Sequence, residues 1–65
     1  MDRRVRRTHR LLKESLLTLM EEKPFHEITV ADIAERADVN RATFYLHFSN
    51  PAQLLESVEI GRAHV

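Results

Sequence analysis

Residues 28–48, ITVADIAERADVNRATFYLHF, decide the fold of this chain, because two short helical patterns flank a polar turn there. Thr29 stands three residues before Asp32, the arrangement of an N-cap with an acidic partner in the first helical turn. Apolar residues then recur at helical spacing, at Val30, Ile33, Ala34 and Ala37. The first pattern therefore predicts a helix from about Val30 to Ala37.

The second pattern begins at Asn40, a residue type that caps helix N-termini, and predicts a helix from about Arg41 to His47. Asp38 lies before it and can adopt the left-handed conformation that ends a helix, although glycine would do so at lower steric cost. Phe44 and Phe48 lie four residues apart and so share one helix face. We expect that face to pack and the other to stay free for contacts.

These two helices and their turn resemble the helix-turn-helix of the TetR/AcrR family of bacterial transcriptional regulators. Residues 44–48, FYLHF, match the aromatic-Tyr-x-His-Phe stretch at the end of that family's short recognition helix. The resemblance covers about Thr8 to Val58 and also includes Phe25, Ile28, Ile33, Ala34, Ser49, Asn50, Leu54 and Leu55. Asp38 departs from it, because the family usually has glycine at this turn. The resemblance implies a DNA-binding domain whose second motif helix contacts the bases.

The flanking segments predict two further helices. One amphipathic helix should run from about Thr8 to Glu22 and stop at Pro24. Another should begin after Asn50, with Pro51 at its first position. The apolar residues of these segments are Val5, Leu12, Leu16, Leu19, Met20, Phe25, Ile28, Leu54, Leu55 and Val58. The predicted fold is all-α, a small homeodomain-like bundle of three helices plus the start of a fourth, containing a helix-turn-helix.

Composition limits the protein class. The chain has 65 residues, which allow one small domain, and it has no cysteine. It lacks a signal-peptide pattern and an apolar run near the ~20 residues of a membrane span, so we expect a cytoplasmic protein with no membrane partner. We further expect residues 1–58 to form the DNA-binding domain.

The formal net charge is zero, but the charges are segregated along the chain. Residues 1–13 carry one acid, Asp2, and six bases, which are Arg3, Arg4, Arg6, Arg7, Arg10 and Lys13. Residues 14–38 carry seven acids against Lys23 and Arg36. A basic N-terminal arm beside an acidic body is typical of a protein that holds phosphate from one side. A merely solvated terminus is the alternative interpretation.

Base contacts require side chains at the start of the recognition helix. Arg41 is the first candidate, because its guanidinium can bond two acceptors of a guanine in the major groove. Ala42 could contact a thymine methyl, and Thr43 could offer its hydroxyl or methyl to a base or a phosphate. Asn40 is ambiguous, since capping its own helix can occupy its side chain.

Tyr45 and His47 are candidates for backbone contacts. They lie two residues apart and so point about 200° from one another on a helix. The resemblance implies that Tyr45 donates its hydroxyl to a phosphate, with core packing as the alternative. It implies that His47 either does likewise or braces the helix.

The remaining candidates lie near helix N-termini. Thr29 could direct its amide and hydroxyl toward a phosphate, because a helix N-terminus attracts anions, but a plain N-cap is an equal alternative. The basic arm should supply nonspecific phosphate attraction, with minor-groove entry as a further role. Its candidate residues are Arg3, Arg4, Arg6 and Arg7.

Catalysis is not expected. The histidines are too far apart in sequence for a helical metal pair, and they are His9, His26, His47 and His64. Gly61 is the only glycine, so a glycine-rich phosphate loop is excluded, and no metal or cofactor is expected. The alternative to a DNA-binding regulator is a small helical protein-protein interaction module with a basic arm.

The resemblance also implies partners. It implies a larger helical C-terminal domain, beyond this sequence, that binds a small-molecule effector and forms a homodimer. A dimer would bind a palindromic double-stranded operator, because two-fold symmetric proteins match two-fold symmetric half-sites. Repression is the output that the family implies.

The last residues, 59–65, read EIGRAHV and lack the pattern that would continue the fourth helix. They can be encoded as GAG ATC GGA AGA GCA CAC GTC, which contains the start of a widely used short-read sequencing adapter. Our hypothesis is that this tail is adapter read-through and that the natural protein continues differently after Val58.

Overall fold

A computed structural model describes residues 3–63 of the chain, and side chains for residues 3–59. Within this range the chain is helical: α1 (Arg3–Glu22), α2 (Val30–Ala37), α3 (Arg41–His47) and α4 (Pro51–Ala63), with a short 3-10 helix at Phe25–Glu27. The predicted all-α bundle with a helix-turn-helix is confirmed. None of the helices in residues 3–63 is both long and apolar enough to cross a membrane.

The predicted start of the first helix is wrong, since α1 begins at Arg3 rather than near Thr8. Arginine is a good helix former, and Val5 is half-buried, so the apolar face of α1 extends into the basic segment. The prediction of a basic arm is corrected accordingly. Arg3, Arg4, Arg6 and Arg7 lie on the first turns of a helix.

One hydrophobic core lies where α1, α2, α3 and α4 meet. It comprises Leu12, Leu16, Leu19, Ile28, Ile33, Ala37, Phe44, Phe48 and Leu54, and Phe25, Val30, Val39 and Leu55 pack against it. Each helix contributes at least one residue, so no helix can be removed without exposing part of the core. Met20 falls at the helical spacing of the apolar face of α1 but is 38% exposed.

The turn between α2 and α3 has the conformation that its sequence predicts. Asp38 has φ 60° and ψ 43°, the left-handed conformation predicted for it. Its amide donates to the carbonyls of Ala34 and Glu35, and the amide of Val39 donates to Ala34 O at 2.9 Å. These bonds satisfy the last carbonyls of α2 and turn the chain toward α3.

The predicted start of α4 after Asn50 is confirmed, and Asn50 caps the helix, since the amide of Gln53 donates to Asn50 Oδ1 at 2.9 Å. The Gln53 side chain in turn accepts from the amide of Ser49 at 2.7 Å. α4 continues to Ala63, so the expectation that its pattern stops before Glu59 is corrected. The side chains of residues 60–63, and residues 64 and 65 of the suspected tail, lie outside the described residues, as do Met1 and Asp2.

Candidate nucleic-acid interface

Helix α3 is attached to the core through one side chain. Phe44 is its buried residue and is fully inaccessible to solvent. Its ring meets the Tyr45 ring edge to face, with centroids 5.7 Å apart, and lies 5.9 Å from the ring of Phe48 at the C-cap. The burial of Phe44 in the core fixes the rotation of α3 about its axis and therefore decides which side chains face outward.

The outward face of α3 lies opposite Phe44. At about 100° per residue, Ala42 and Leu46 fall on that opposite side, with Arg41 and Tyr45 on one flank. Leu46 is 80% exposed and Tyr45 is 57% exposed. Leu46 was not among the predicted site residues, although its position four residues after Ala42 places it on the same face.

Arg41 lies at the first position of α3 and is exposed. Its guanidinium makes no hydrogen bond or ion pair with any residue in the described part of the chain, so its donors are available to a ligand. Tyr45 is more than half exposed, which excludes the alternative of core packing. Its hydroxyl is likewise without a protein partner among residues 3–59.

Asn40 caps α3, as its sequence position suggested. Its Oδ1 accepts from the amide of Thr43 at 2.8 Å and from the Thr43 hydroxyl at 3.1 Å. Capping therefore occupies the acceptor oxygen of Asn40 and the hydroxyl proton of Thr43. The amide nitrogen of Asn40 and the methyl group of Thr43 remain available for DNA.

Thr29 takes part in a complete capping box at the start of α2. Its hydroxyl accepts from the amide of Asp32, and its own amide donates to Asp32 Oδ2, both at 3.1 Å. Lys23 Nζ also donates to Asp32 Oδ2, at 2.8 Å. The hydrogen bond from Lys23, followed by that from Thr29, lowers the pKa of Asp32. The structure thus favours the N-cap alternative for Thr29, because its amide is already bonded.

His47 lies half-buried at the end of α3 and contacts a residue that sequence analysis did not select. The distance between His9 Nε2 on α1 and His47 Nδ1 is 3.2 Å, and the two rings meet edge to face with centroids 4.7 Å apart. His9 also packs on Phe48 at 5.2 Å. Burial lowers the pKa of His9, and the nearby charges of His47 and Lys13 add to that effect. His47 therefore braces α3 against α1.

Three basic residues of α1 lie next to this histidine contact. Arg6, Arg10 and Lys13 line a groove with His9, whose ring touches the end of α3. A second groove along α1 is lined by Arg3, Arg4, Arg7 and Arg10. The arginines are exposed, so the first half of α1 forms a positively charged ridge, and His9 on the same helix contacts the end of α3.

Two ion pairs join α2 to the C-terminal end of α1 and the residue that follows it. Arg36 Nη2 lies 2.6 Å from Glu22 Oε2, and Lys23 Nζ lies 2.8 Å from Asp32 Oδ2. Charges here are matched by partners within the protein, whereas Arg41 is unmatched. Exposed positive charge is thus concentrated on α1 and at the start of α3, and that distribution favours a polyanion as the ligand of this face.

A basic helix packed beside a helix-turn-helix with an open outer face defines a class, the small helical domains of nucleic-acid-binding regulators. The family model described as "Bacterial regulatory proteins, tetR family" matches residues 13–58. The chain therefore belongs to the tetR family, as the resemblance of the FYLHF stretch indicated.

Curated relatives support the same family. The chain is 40% identical over 58 residues to the uncharacterized HTH-type transcriptional regulator YxbF of Bacillus subtilis (strain 168), covering 88% of this chain and 15% of YxbF. It is 35% identical over 48 residues to the HTH-type dhaKLM operon transcriptional activator DhaS of Lactococcus lactis subsp. lactis (strain IL1403), covering 74% of this chain and 26% of DhaS.

A third relative is the uncharacterized HTH-type transcriptional regulator YdeS of Bacillus subtilis (strain 168), which is 42% identical over 48 residues, covering 74% of this chain and 24% of YdeS. The chain thus spans between 15% and 26% of the length of these three relatives. No solved structure matches the chain.

Proposed function

We propose that this chain is the sequence-reading part of a transcriptional regulator, which binds a palindromic operator as a homodimer. The observation that carries the proposal is the unpaired guanidinium of Arg41 at the start of α3, beside the open face formed by Ala42 and Leu46. A recognition helix needs free donors and apolar groups at that position to distinguish bases in the major groove.

We assign each side chain a DNA contact according to which of its donor and apolar groups are not already bonded within the protein. Arg41 bonds a base, preferably guanine, while Ala42 and Leu46 contact thymine methyl groups. The amide nitrogen of Asn40 and the methyl of Thr43 lie at the same end of α3 and add base or phosphate contacts. Thr29 serves chiefly as the cap that orders α2.

Backbone contacts come from the flanks. Tyr45 donates its hydroxyl to a phosphate, and the ridge of α1 adds sequence-independent attraction. Each phosphate neutralised by Arg3, Arg4, Arg6 or Arg7 should steepen the logarithmic salt dependence of binding by about 0.9. Because these arginines are on a helix, we assign them to the phosphate backbone rather than to a flexible arm in the minor groove.

Regulation is proposed from the family. The full protein would be cytoplasmic, and residues beyond this sequence would form its effector-binding and dimerisation domain. A small molecule bound in that domain would release the protein, a repressor, from DNA. DhaS is named a transcriptional activator, so activation is the alternative output. A reporter gene placed behind the selected operator would distinguish them, since a repressor lowers and an activator raises its expression.

The proposal is tested by joining the chain to a dimerising coiled coil and selecting from randomised duplexes at low and physiological salt. We expect a palindrome to be enriched. Arg41→Ala should lose discrimination at one base position by about 1–3 kcal/mol. Tyr45→Phe should weaken binding to all sequences alike.

Arg36→Ala is the matched control, because Arg36 is also an exposed helical arginine but is paired with Glu22. It should leave the enriched sequence unchanged. Salt-sensitive binding without any enriched sequence would contradict the proposal. It would favour the alternative of a protein-protein interaction module that uses Tyr45 and Leu46.

The domain boundary at residue 58 is a separate proposal. It is supported by the family match, which ends at residue 58, and by the small share of the relatives that the chain covers. Amplifying and sequencing the genomic locus across this point tests it. A genomic sequence that encodes EIGRAHV without a library adapter would contradict the read-through hypothesis.

A further inference from the structure

The histidine contact between α1 and α3 constrains the proton on His47. His9 Nε2 and His47 Nδ1 are 3.2 Å apart, so one of the two nitrogens carries a proton and the other accepts it. If His9 donates, His47 Nδ1 is the acceptor and the proton of a neutral His47 lies on Nε2. This arrangement places both rings in the Nε2–H form, which an isolated neutral histidine also prefers.

The opposite direction of the hydrogen bond requires a proton on His47 Nδ1. A neutral His47 would then have a bare lone pair on Nε2, and His9 would be forced into its less favourable Nδ1–H form. When His47 is protonated, however, it donates from Nδ1 to His9 and still carries a proton on Nε2. The neutral pair with His9 as donor and the singly protonated pair therefore both leave an N–H on His47 Nε2.

His47 Nε2 has no hydrogen-bond partner among residues 3–59, and that part of the chain holds no buried side-chain nitrogen without a partner. Nε2 is therefore reached by solvent. It lies on the ring that ends the recognition helix, next to the basic ridge of α1. A donor at this place suits a backbone phosphate.

We propose that His9 is a positioning residue for DNA binding, which holds His47 with its proton on Nε2 so that the end of α3 offers a fixed donor to a phosphate. The inference rests on the proposed function. The carboxylate that orients a catalytic or metal-bound histidine performs the same task.

The charges around His9 are consistent with a neutral ring at neutral pH. On α1 it shares a groove with Arg6, Arg10, Lys13 and Glu14, and on α3 it faces His47. Three of these neighbours are cations, which oppose a further positive charge on His9. Only double protonation removes the acceptor lone pair and breaks the bond, so the bracing contact should persist until well below neutral pH.

The tautomer is measured first, without DNA. Long-range proton–nitrogen correlation spectra of the 65-residue chain distinguish a protonated ring nitrogen from a bare one, at a pH about one unit above the ordinary histidine pKa of about 6.5. We expect His47 to be protonated on Nε2 in the wild type and in His9→Gln, whose amide can still donate. His9→Leu keeps an apolar side chain on Phe48 but removes the donor, so its His47 should show a mixture of tautomers.

DNA affinity is measured next, with a mixed-sequence duplex at low salt, because a phosphate contact does not depend on base sequence. His9→Leu should bind about 2- to 10-fold more weakly, the equivalent of one hydrogen bond, and His9→Gln should bind like the wild type. His26→Leu is the matched control, since the His26 side chain is 80% exposed and its contact is with Glu27 rather than with a residue of α3. In a His47→Ala background, His9→Leu should cause no further loss.

An unchanged His47 tautomer in His9→Leu, or an equal loss of affinity in both backgrounds, would overturn the inference. A circular dichroism melt of each variant confirms that affinity is compared between folded chains. If the wild type binds no DNA, the proposed function fails and so does the phosphate contact. The spectra of the free chain would still decide whether His9 fixes the His47 tautomer.

Discussion

Helices α2 and α3 have nearly the same length but are held in opposite ways. α2 buries Ile33, Ala34 and Ala37, and ion pairs near both of its ends tie it to α1. α3 buries Phe44 alone and is otherwise exposed or half-exposed. The comparison shows how a domain of 65 residues can present a contact surface. One motif helix is tied to the scaffold by several buried residues and two ion pairs, and the other is held by one buried ring and by the His9–His47 contact at its end.

The largest test of this comparison is Phe44→Ala. Removing a fully buried phenylalanine costs about 3–5 kcal/mol, which is close to the whole stability of a domain this small. We expect the variant to be largely unfolded by circular dichroism. Leu46→Ala is the control on the same helix, and its free energy of unfolding should change by no more than about 0.5 kcal/mol.

A folded Phe44→Ala chain with α3 alone frayed would refine the comparison. Amide hydrogen exchange would show it as a loss of protection in residues 41–47 with protection retained in α2. That result would mean that α2 and α1 form a stable unit without the recognition helix.

The N-caps of α2 and α3 provide a second test of how firmly each helix is held, because removing an N-cap lowers stability by about 1 kcal/mol. Asn40→Ala removes two hydrogen bonds to Thr43, and Thr29→Ala removes one bond from a box in which Asp32 remains. We expect Asn40→Ala to raise amide exchange across α3 more than Thr29→Ala raises it across α2, because α3 has fewer tertiary contacts to replace its cap. Asn40→Asp, which keeps an acceptor, should behave like the wild type. Equal effects in the two helices would argue against the weaker attachment of α3.

Most of the helix-turn-helix could be predicted because each helix end carries a local signal. Thr29, Asp38 and Asn40 act within three or four residues of their own positions, and the structure shows each of them in the role that its residue type favours. The aromatic spacing of Phe44 and Phe48 likewise indicated the packed face of α3.

The features that the sequence did not indicate depend on how helices cross. His9 and His47 are 38 residues apart and meet only because α1 passes the end of α3. No local spacing encodes that approach, so sequence analysis treated the histidines as isolated. The exposure of Leu46 is a different case, since its spacing from Phe44 and Ala42 places it opposite the packed face, but an apolar side chain is ordinarily expected in a core.

Asp38→Gly tests the turn that separates the two helices. Asp38 has φ 60°, where a Cβ atom is sterically unfavourable and glycine is not. We expect the substitution to raise the free energy of unfolding by up to about 1 kcal/mol, and Asp38→Ala to lower it. Urea denaturation of both variants measures the difference. An increase in the free energy of unfolding of Asp38→Ala would mean that the charge of the aspartate, rather than its backbone conformation, destabilises the turn.

Acid titration gives the smallest expected effects and separates α2 from α3. Burial lowers the pKa of His9 from 6.5, so the unfolded chain binds a proton first, and stability linked to the α1–α3 contact should fall as pH falls below 6.5. The bond from Lys23 lowers the pKa of Asp32 from 3.8, so stability linked to α2 is present above 3.8 and is lost as pH falls through the lower folded value.

Urea midpoints measured across this range should therefore show two losses. His9→Gln should reduce the first without altering the second, and Lys23→Met should reduce the second without altering the first, because Lys23 bonds Asp32 and not a residue of α3. Comparing the urea midpoint of each variant with that of the wild type at the same pH removes the contribution of the carboxylates that both chains contain. If Lys23→Met changed the loss near 6.5 instead, the two motif helices would be coupled through α1, and the separate attachment of α2 and α3 would be wrong.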